Sequence, residues 1–383
     1  MFFVGLAITF SALTALPPPT VLAAPPLLAP NDAAPVRQEQ WHIDYLKMTK
    51  AQEISRGQGV VVAVPDTGVD PHPDLRNNLL AGTDIIPGGD GEGRKDLDSH
   101  GTSMAGLIAA HGQGQNLGAL GIAPEAKILP IFDSPPGGEG APDDLAQSIE
   151  YAIANGADVI SISSVGGRSA RLHQAIRGAL DADIVVVAGV GNLPWDQSIG
   201  YPASEEGVIA VGGIGRDGLH AAISVTGQKI DVVAPAVDIY STSYDGKYSK
   251  GTGTSSATAI VAGAAALIRS KYPYLPAREV AHRLTATAVD KGAPGRDDEY
   301  GYGVIDLVAA LTADVPPLGF ESVSAPAGAG STTTAGALPG DEGSGATARG
   351  LATLGVILAA GVGWAVVARR RRRGDDPPPR ISR

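Results

Sequence analysis

Five short apolar runs, rich in β-branched residues and bounded by Gly, Pro or Asp, constrain the fold of this chain most. They are residues 59–64 (GVVVAV), 127–132 (KILPIF), 158–163 (DVISIS), 184–188 (IVVVA) and 208–212 (VIAVG). Continuous apolar runs of this length fit strands buried on both faces. Helical patterns lie between them. In residues 143–155 (DDLAQSIEYAIAN) the apolar positions recur at helical spacing, two Asp open the run and Gly156 stops it. Residues 169–180 follow the same pattern. Strands alternating with helices imply βαβ units, hence an α/β fold with a mostly parallel central sheet between two layers of helices. In such sheets, reacting groups collect where strands end and helices begin. The sequence has no internal repeat.

A chain of 383 residues, 44% of them hydrophobic, is ample for one large domain with peripheral segments. The formal net charge of −11 argues against a nucleic-acid surface, which needs a basic stripe. There is no cysteine, which removes disulfides, thiolate nucleophiles and Cys-based zinc sites together.

The two ends read differently from the middle. Residues 1–24 have the pattern of a signal peptide. Phe2 to Leu16 is nearly all apolar, and small residues follow at Ala23 and Ala24. No Lys or Arg precedes the run, so a membrane anchor or an unstructured tail is the alternative. Pro17, Pro18 and Pro19 break the run well short of a span, which favours the signal. Near the other end, Leu351 to Ala368 carries no charge, and Arg369 to Arg373 follow as an unbroken basic block. About 17–25 apolar residues cross a bilayer core, so residues 350–368 suffice for one transmembrane helix. By the positive-inside rule the tail, 369–383, is cytoplasmic and everything before the span lies outside the cytoplasmic membrane. The Pro/Gly/Ala-rich stretch 314–349 has the composition of a flexible tether. This leaves an N-terminal extension at 25–41 and a globular domain at 42–313.

Three segments of that domain carry groups suited to chemistry, each at an element boundary. Val64-Pro65-Asp66-Thr67-Gly68 places a carboxylate at a strand end, where a turn former or cap is the ordinary role. Ser99-His100-Gly101-Thr102 places an imidazole at the start of a small-residue helix. The positive end of a helix favours the neutral imidazole that a general base requires. A solvated surface histidine is the alternative. Gly251-Thr252-Gly253-Thr254-Ser255 leads into a helix of small apolar residues. Ser255 is either a cap or a nucleophile whose oxyanion is held by backbone N–H groups. Taken singly, each structural role is the commoner one.

Taken together, the order Asp, His, Ser with D-T-G, H-G-T and G-T-S flanks resembles the subtilisin-like serine proteases, from about Trp41 to Leu311. The resemblance implies a subtilisin-like three-layer fold and a serine-type endopeptidase with Asp66, His100 and Ser255 as its triad. It also implies that Asn192, in Ala188-Gly189-Val190-Gly191-Asn192, donates to the oxyanion. Ser163 and Gly166, with Gly189 and Gly191, would belong to two strips that hold a polypeptide substrate by strand addition. No cofactor is implied. Subtilases often bind calcium, but no Asp/Asn loop of EF-hand type is present, and Asp90 to Asp98 reads as a solvated loop.

The terminal architecture narrows the resemblance to the mycosins, proteases of type VII secretion systems. Gln40-Trp41-His42, Met104-Ala105-Gly106-Leu107-Ile108-Ala109 and Gly121-Ile122-Ala123-Pro124 agree with it. It implies a single-pass protein of the cell membrane, an extracytoplasmic catalytic domain and the type VII membrane complex as partner. It also implies an extension that packs on the catalytic body. Three features depart from the pattern. Mycosins usually have cysteines. Ala259 stands where Pro is usual after the nucleophile. Pro65 stands where an aliphatic residue usually precedes the Asp. Those changes give weight to a second role, that of a catalytically weak structural subunit of the secretion complex.

Overall fold

The structure, a computed structural model, describes residues 33–138 and 140–319. The expected signal peptide, the first part of the extension, most of the tether, the span at 350–368 and the basic tail lie outside the described residues. Among the described residues, no helix is long and apolar enough to cross a membrane.

The strands are β1 (Val61–Asp66), β2 (Thr83–Asp84), β3 (Lys127–Phe132), β4 (Val159–Ile162), β5 (Val185–Gly189), β6 (Ile209–Ile214), β7 (Val232–Pro235), β8 (Ile239–Thr242) and β9 (Tyr248–Gly251). The helices are α1 (Ala33–Glu39), α2 (His42–Tyr45), α3 (Met48–Ile54), α4 (His100–Ala109), α5 (Pro142–Ala154), α6 (Ala170–Asp181), α7 (Thr254–Lys271), α8 (Ala277–Ala286) and α9 (Leu307–Thr312).

The first seven strands form one parallel sheet in the order β2-β3-β1-β4-β5-β6-β7, and β8 and β9 pair antiparallel apart from it. The chain leaves β1 toward β3 on one side and returns through β4 on the other. This reversal opens a crevice at the carboxyl ends of β1 and β4. Neighbouring residues of a strand face opposite layers, as a two-sided burial demands. Val185 and Val187 of β5 pack into the core under α4 and α7, while Val186 and Ala188 pack into the core under α5 and α6. The three layers and the parallel sheet expected from the sequence are present.

Pro65 leaves the end of β1 intact, because β1 keeps its parallel register with β3 through Pro65 opposite Ile131 and Asp66 opposite Phe132. One local feature departs from the sequence reading. The segment Asp90 to Asp98 is not solvated throughout, because Asp96 is buried.

Helix α7 is the central element. Fifteen of its eighteen residues are buried. A helix apolar on every side belongs inside a large domain. The N-terminal segment docks on the body and shares the core into which α7 packs. Val36 is fully buried. Gln40 Nε2 donates to the carbonyls of Leu120 (3.2 Å) and Tyr240 (3.1 Å), its Oε1 accepts from Leu120 N (2.8 Å), and Trp41 Nε1 donates to Val237 O (3.0 Å).

Candidate active site

Asp66 is the last residue of β1, and His100 is the first of α4. Their approach depends on two glycines. A Cβ on Gly101 would stand 2.0 Å from Gly68 O, and Gly68 itself has φ +91° with the Lys95 carbonyl against its open side. Only glycine accepts that backbone and that contact. The result is a direct pairing. His100 Nδ1 lies 2.7 Å from Asp66 Oδ1 and 2.9 Å from Oδ2. A carboxylate can only accept, so Nδ1 carries the proton and Nε2 is left to face the groove.

Asp96 fastens this arrangement. Its Oδ1 accepts from Thr67 Oγ1 (3.0 Å), Asp98 N (2.9 Å) and Ser99 N (3.0 Å). Its Oδ2 accepts from Thr102 N (2.9 Å) and Thr102 Oγ1 (2.6 Å). Thr67 also accepts from Gly101 N at 3.0 Å and donates its own N–H to Asp66 Oδ1 at 2.7 Å. Asp96 therefore caps α4 from outside the helix while Ser99 sits in the left-handed region at φ 86°. Burial raises the Asp96 pKa, and the Thr102 and Asp98 hydrogen bonds oppose it.

The charge state of His100 differs from the expectation of a neutral imidazole. Burial is the largest single influence and lowers its pKa, but the charge and hydrogen bond of Asp66, then Asp98 and Asp96, push it up to about 9. With 37% of the side chain still open, water both relieves the burial penalty and screens the carboxylates that raise the pKa. The helix terminus acts in the sense expected but is outweighed by nearby carboxylates. A buried carboxyl, Asp133, follows β3 beside this pair. Burial pushes it to about 7 against hydrogen bonds from Ser148 and Ser134, with the Asp66 charge adding to the rise.

Ser255 lies in the first turn of α7, beneath the end of β4. Its Oγ donates to Ser163 O at 3.1 Å. Among the described residues it makes no hydrogen bond to His100. Ser256, the next residue, is buried and does not line the groove.

Asn192 follows β5. Its Oδ1 accepts the backbone N–H of Thr254 at 2.9 Å, with Thr254 Oγ1 at 3.3 Å. A backbone N–H only donates, so the atom facing it must be the amide oxygen. The amide nitrogen Nδ2 is thereby turned away and makes no hydrogen bond among the described residues.

A groove of about 340 Å³ has Asp66, His100, Ser163, Gly189, Asn192 and the exposed Trp195 on its walls, and Ser255, which is not itself on them, joins it through its bond to Ser163. Gly166 and Gly191 are not on those walls. Gly166 donates its N–H to Tyr201 O at 3.0 Å. Gly191 lies against Asp196, which occupies the space a side chain would need. Ser134, Gly137 and Gly138, after β3, also line the groove, and Asp98 Oδ2 accepts from Gly137 N at 2.7 Å. Sequence reasoning missed Asp96, Asp133 and Asp196. Asp96 was legible only as a capping residue ahead of a helix, and the other two had no spacing to reveal them. Among the described residues, no cluster of three His, Cys, Asp or Glu that would hold a metal ion is present.

Comparison with known proteins identifies the family. The Peptidase S8 model, subtilase family, matches residues 57–303. Subtilisin BL of Lederbergia lenta is 38% identical over 255 residues, covering 66% of this chain and 91% of that protein. Subtilisin E of Bacillus subtilis is 39% identical over 259 residues, covering 66% of each. Among solved structures, MycP1 from Mycobacterium smegmatis superposes with a TM-score of 0.67 at 31% identity, covering 76% of this chain and 89% of that one. The MycP3 protease from the type VII (ESX-3) secretion system gives a TM-score of 0.61 at 33% identity, covering 79% and 92%. The chain belongs to the subtilase family of serine proteases.

Proposed function

We propose that this chain is a membrane-anchored, extracytoplasmic serine endopeptidase of the mycosin kind, in which Ser255 is the nucleophile, His100 the general base, Asp66 its orienting carboxylate and Asn192 the oxyanion donor. The observation that carries this reading is the pairing of His100 Nδ1 with both oxygens of Asp66 at the head of a groove.

A polypeptide would lie in the groove by pairing with the strip that begins at Ser163 and with the segment at residues 134–138. Its backbone N–H competes for the Ser163 carbonyl on which the Ser255 hydroxyl rests. Ser255 then turns to His100. Nε2 takes the hydroxyl proton as Oγ bonds to the scissile carbon, and the carbonyl electron pair moves to its oxygen. Asn192 Nδ2 donates to that oxyanion. The positive charge on the imidazolium is balanced by Asp66. As the tetrahedral species collapses, Nε2 delivers its proton to the leaving amine and the C–N bond breaks. Water attacks the resulting ester by the same route. Each donor is placed before the reaction begins, and such preorganisation is the largest contribution in sites of this kind.

Anchoring rests on the uncharged run at 350–368 and the arginines after it, and the signal peptide at 1–24 gives the export route. The domain limits 42–313, tether 314–349 and tail 369–383 follow the same composition. The type VII assignment rests on the likeness to MycP1, which is described as an essential component of the type VII (ESX-1) secretion system. A second reading, a structural subunit with weak catalysis, draws support from the Ser255 hydroxyl resting on Ser163 rather than on His100. A fluorophosphonate should label the wild-type protein at Ser255 and leave S255A unlabelled. A folded wild-type protein that stays unlabelled removes the enzyme reading. Secretion restored by S255A in a deletion strain supports the structural one. Release from membranes on deletion of 350–383 tests the anchor.

A further inference from the structure

Asn192 is held by more than Thr254. Its backbone N–H donates to Asp196 Oδ2 at 2.7 Å, and its carbonyl accepts from Asp196 N at 2.9 Å. The two residues close a reciprocal ring four positions apart. The ring is packed from below. A Cβ on Gly191 would fall 2.9 Å from Asp196 Cβ and Oδ2, at a residue with φ +108°. The glycine thus keeps the space that the carboxylate needs. The remaining polar atom on the main chain, Gly191 O, accepts from Val225 N at 3.2 Å. Every hydrogen-bonding group of Asn192 except Nδ2 is therefore committed, one to α7 and two to Asp196. Thr254 fixes which way the amide faces, but not where the Asn192 backbone sits. That position is set by Asp196 on one side and by residues 223–225 on the other, where Leu193 N donates to Ile223 O at 2.7 Å.

We propose that Asp196 is a positioning residue for peptide hydrolysis, holding the Asn192 backbone so that Nδ2 meets the oxyanion. The proposal rests on the reading of Asn192 as the oxyanion donor. A carboxylate on the main-chain N–H of Asn192 has a reason to be there, because its hydrogen bond is charge-assisted and shorter than a neutral one. The cost is a negative charge near the developing oxyanion. Asp196 thus acts through hydrogen-bond geometry and against its own field. An amide in its place keeps the acceptor and removes the charge.

The test is a double-mutant cycle on the purified protein with a peptide substrate, reading kcat and KM separately. N192A alone tests the underlying reading and should lower kcat by about 10²-fold or more. If it does not, the oxyanion assignment fails. With that loss established, D196A should lower kcat by about tenfold, since small misplacements of a catalytic group are costly, and should leave KM nearly unchanged. D196N should restore most of the rate, and D196E, which keeps the charge but moves the acceptor by one methylene, should not. In the N192A background D196A should have almost no further effect. An equal loss in both backgrounds, a loss confined to KM, no loss in D196A, or a D196N as slow as D196A each overturns the proposal. Should D196A fail to fold, the D196N and D196E pair read against N192A carries the same decision.

Discussion

The Ser255 hydroxyl donates to the backbone carbonyl of Ser163 at 3.1 Å, so the proposed nucleophile rests on the proposed substrate strip and not on the proposed base. Removing Ser255 should therefore leave the His100 titration where it is. In an NMR titration of the histidine ring protons, S255A and wild type should give the same His100 midpoint. Hydrolysis by S255A should fall by at least about 10⁴-fold.

The rate should rise with pH. Transfer of the Ser255 proton needs a neutral imidazole, and neighbouring carboxylates hold His100 in its charged form up to about 9. The profile of kcat/KM should climb through the neutral range toward a plateau above that value. D66N removes the largest of the raising influences, so its profile should rise at lower pH while its maximum falls by about 10⁴-fold, because the wrong tautomer is then available.

Asp96 should matter to both fold and rate. Five donors converge on its two oxygens from the D-T-G turn, from Asp98 and Ser99 just ahead of α4, and from Thr102 in its first turn. D96N offers one oxygen and turns an N–H₂ toward donors, so it should behave much like D96A. Breaking a buried network of this size costs about 2–4 kcal/mol. A thermal melt should show the loss, and kcat should fall because Thr67 and His100 lose their common anchor.

Two histidines should give opposite pH dependences of stability. His42 is fully buried, neither ring nitrogen has a partner among the described residues, and burial lowers its pKa to about 3. The unfolded chain binds the proton more readily, so this contribution is complete above the ordinary pKa of about 6.5 and falls away as the pH drops from there. The His100 pair works the other way. Its contribution is complete below about 6.5 and is lost as the pH rises through about 9. Melting temperatures of H42L should be flatter than wild type on the acid side and unchanged on the alkaline side.

Gln40 should contribute to stability and not to turnover. Its amide serves three backbone groups, the N–H and carbonyl of Leu120 and the carbonyl of Tyr240 in β8, and none of its contacts reaches the groove. Q40A leaves those groups unpaired, at about 1–3 kcal/mol. The melting temperature should drop while kcat on a peptide stays within error of wild type.

The apolar runs made the central strands legible, because burial on both faces leaves them almost wholly apolar, with Ser161 of β4 a small buried exception. Lys127–Phe132 is found as read, and the others shift by one to two residues. Strand β7, Val232–Pro235, went unread because four residues ending in Ala-Pro carry too little pattern. Strands β8 and β9 are short and polar, and only their pairing identifies them. The candidate triad was visible through its flanks, whose glycines are demanded by backbone contact. The charge state of His100 was not, since Asp66, Asp96 and Asp98 converge on it only after folding. Asp196 was invisible for the same reason. Its pairing with Asn192 depends on how the chain turns after β5, and no sequence spacing records that turn.

Helix α7 bears on how the protein fails. A spindle with fifteen of eighteen residues enclosed can expose its amides only when the whole body comes apart. Deuterium should enter its backbone last, at a rate that reports global opening, while the flank held by Gln40 exchanges early. Ser255 rides on that spindle. Partial unravelling of the edges would then leave the nucleophile seated, and inactivation on heating should coincide with loss of the core rather than precede it.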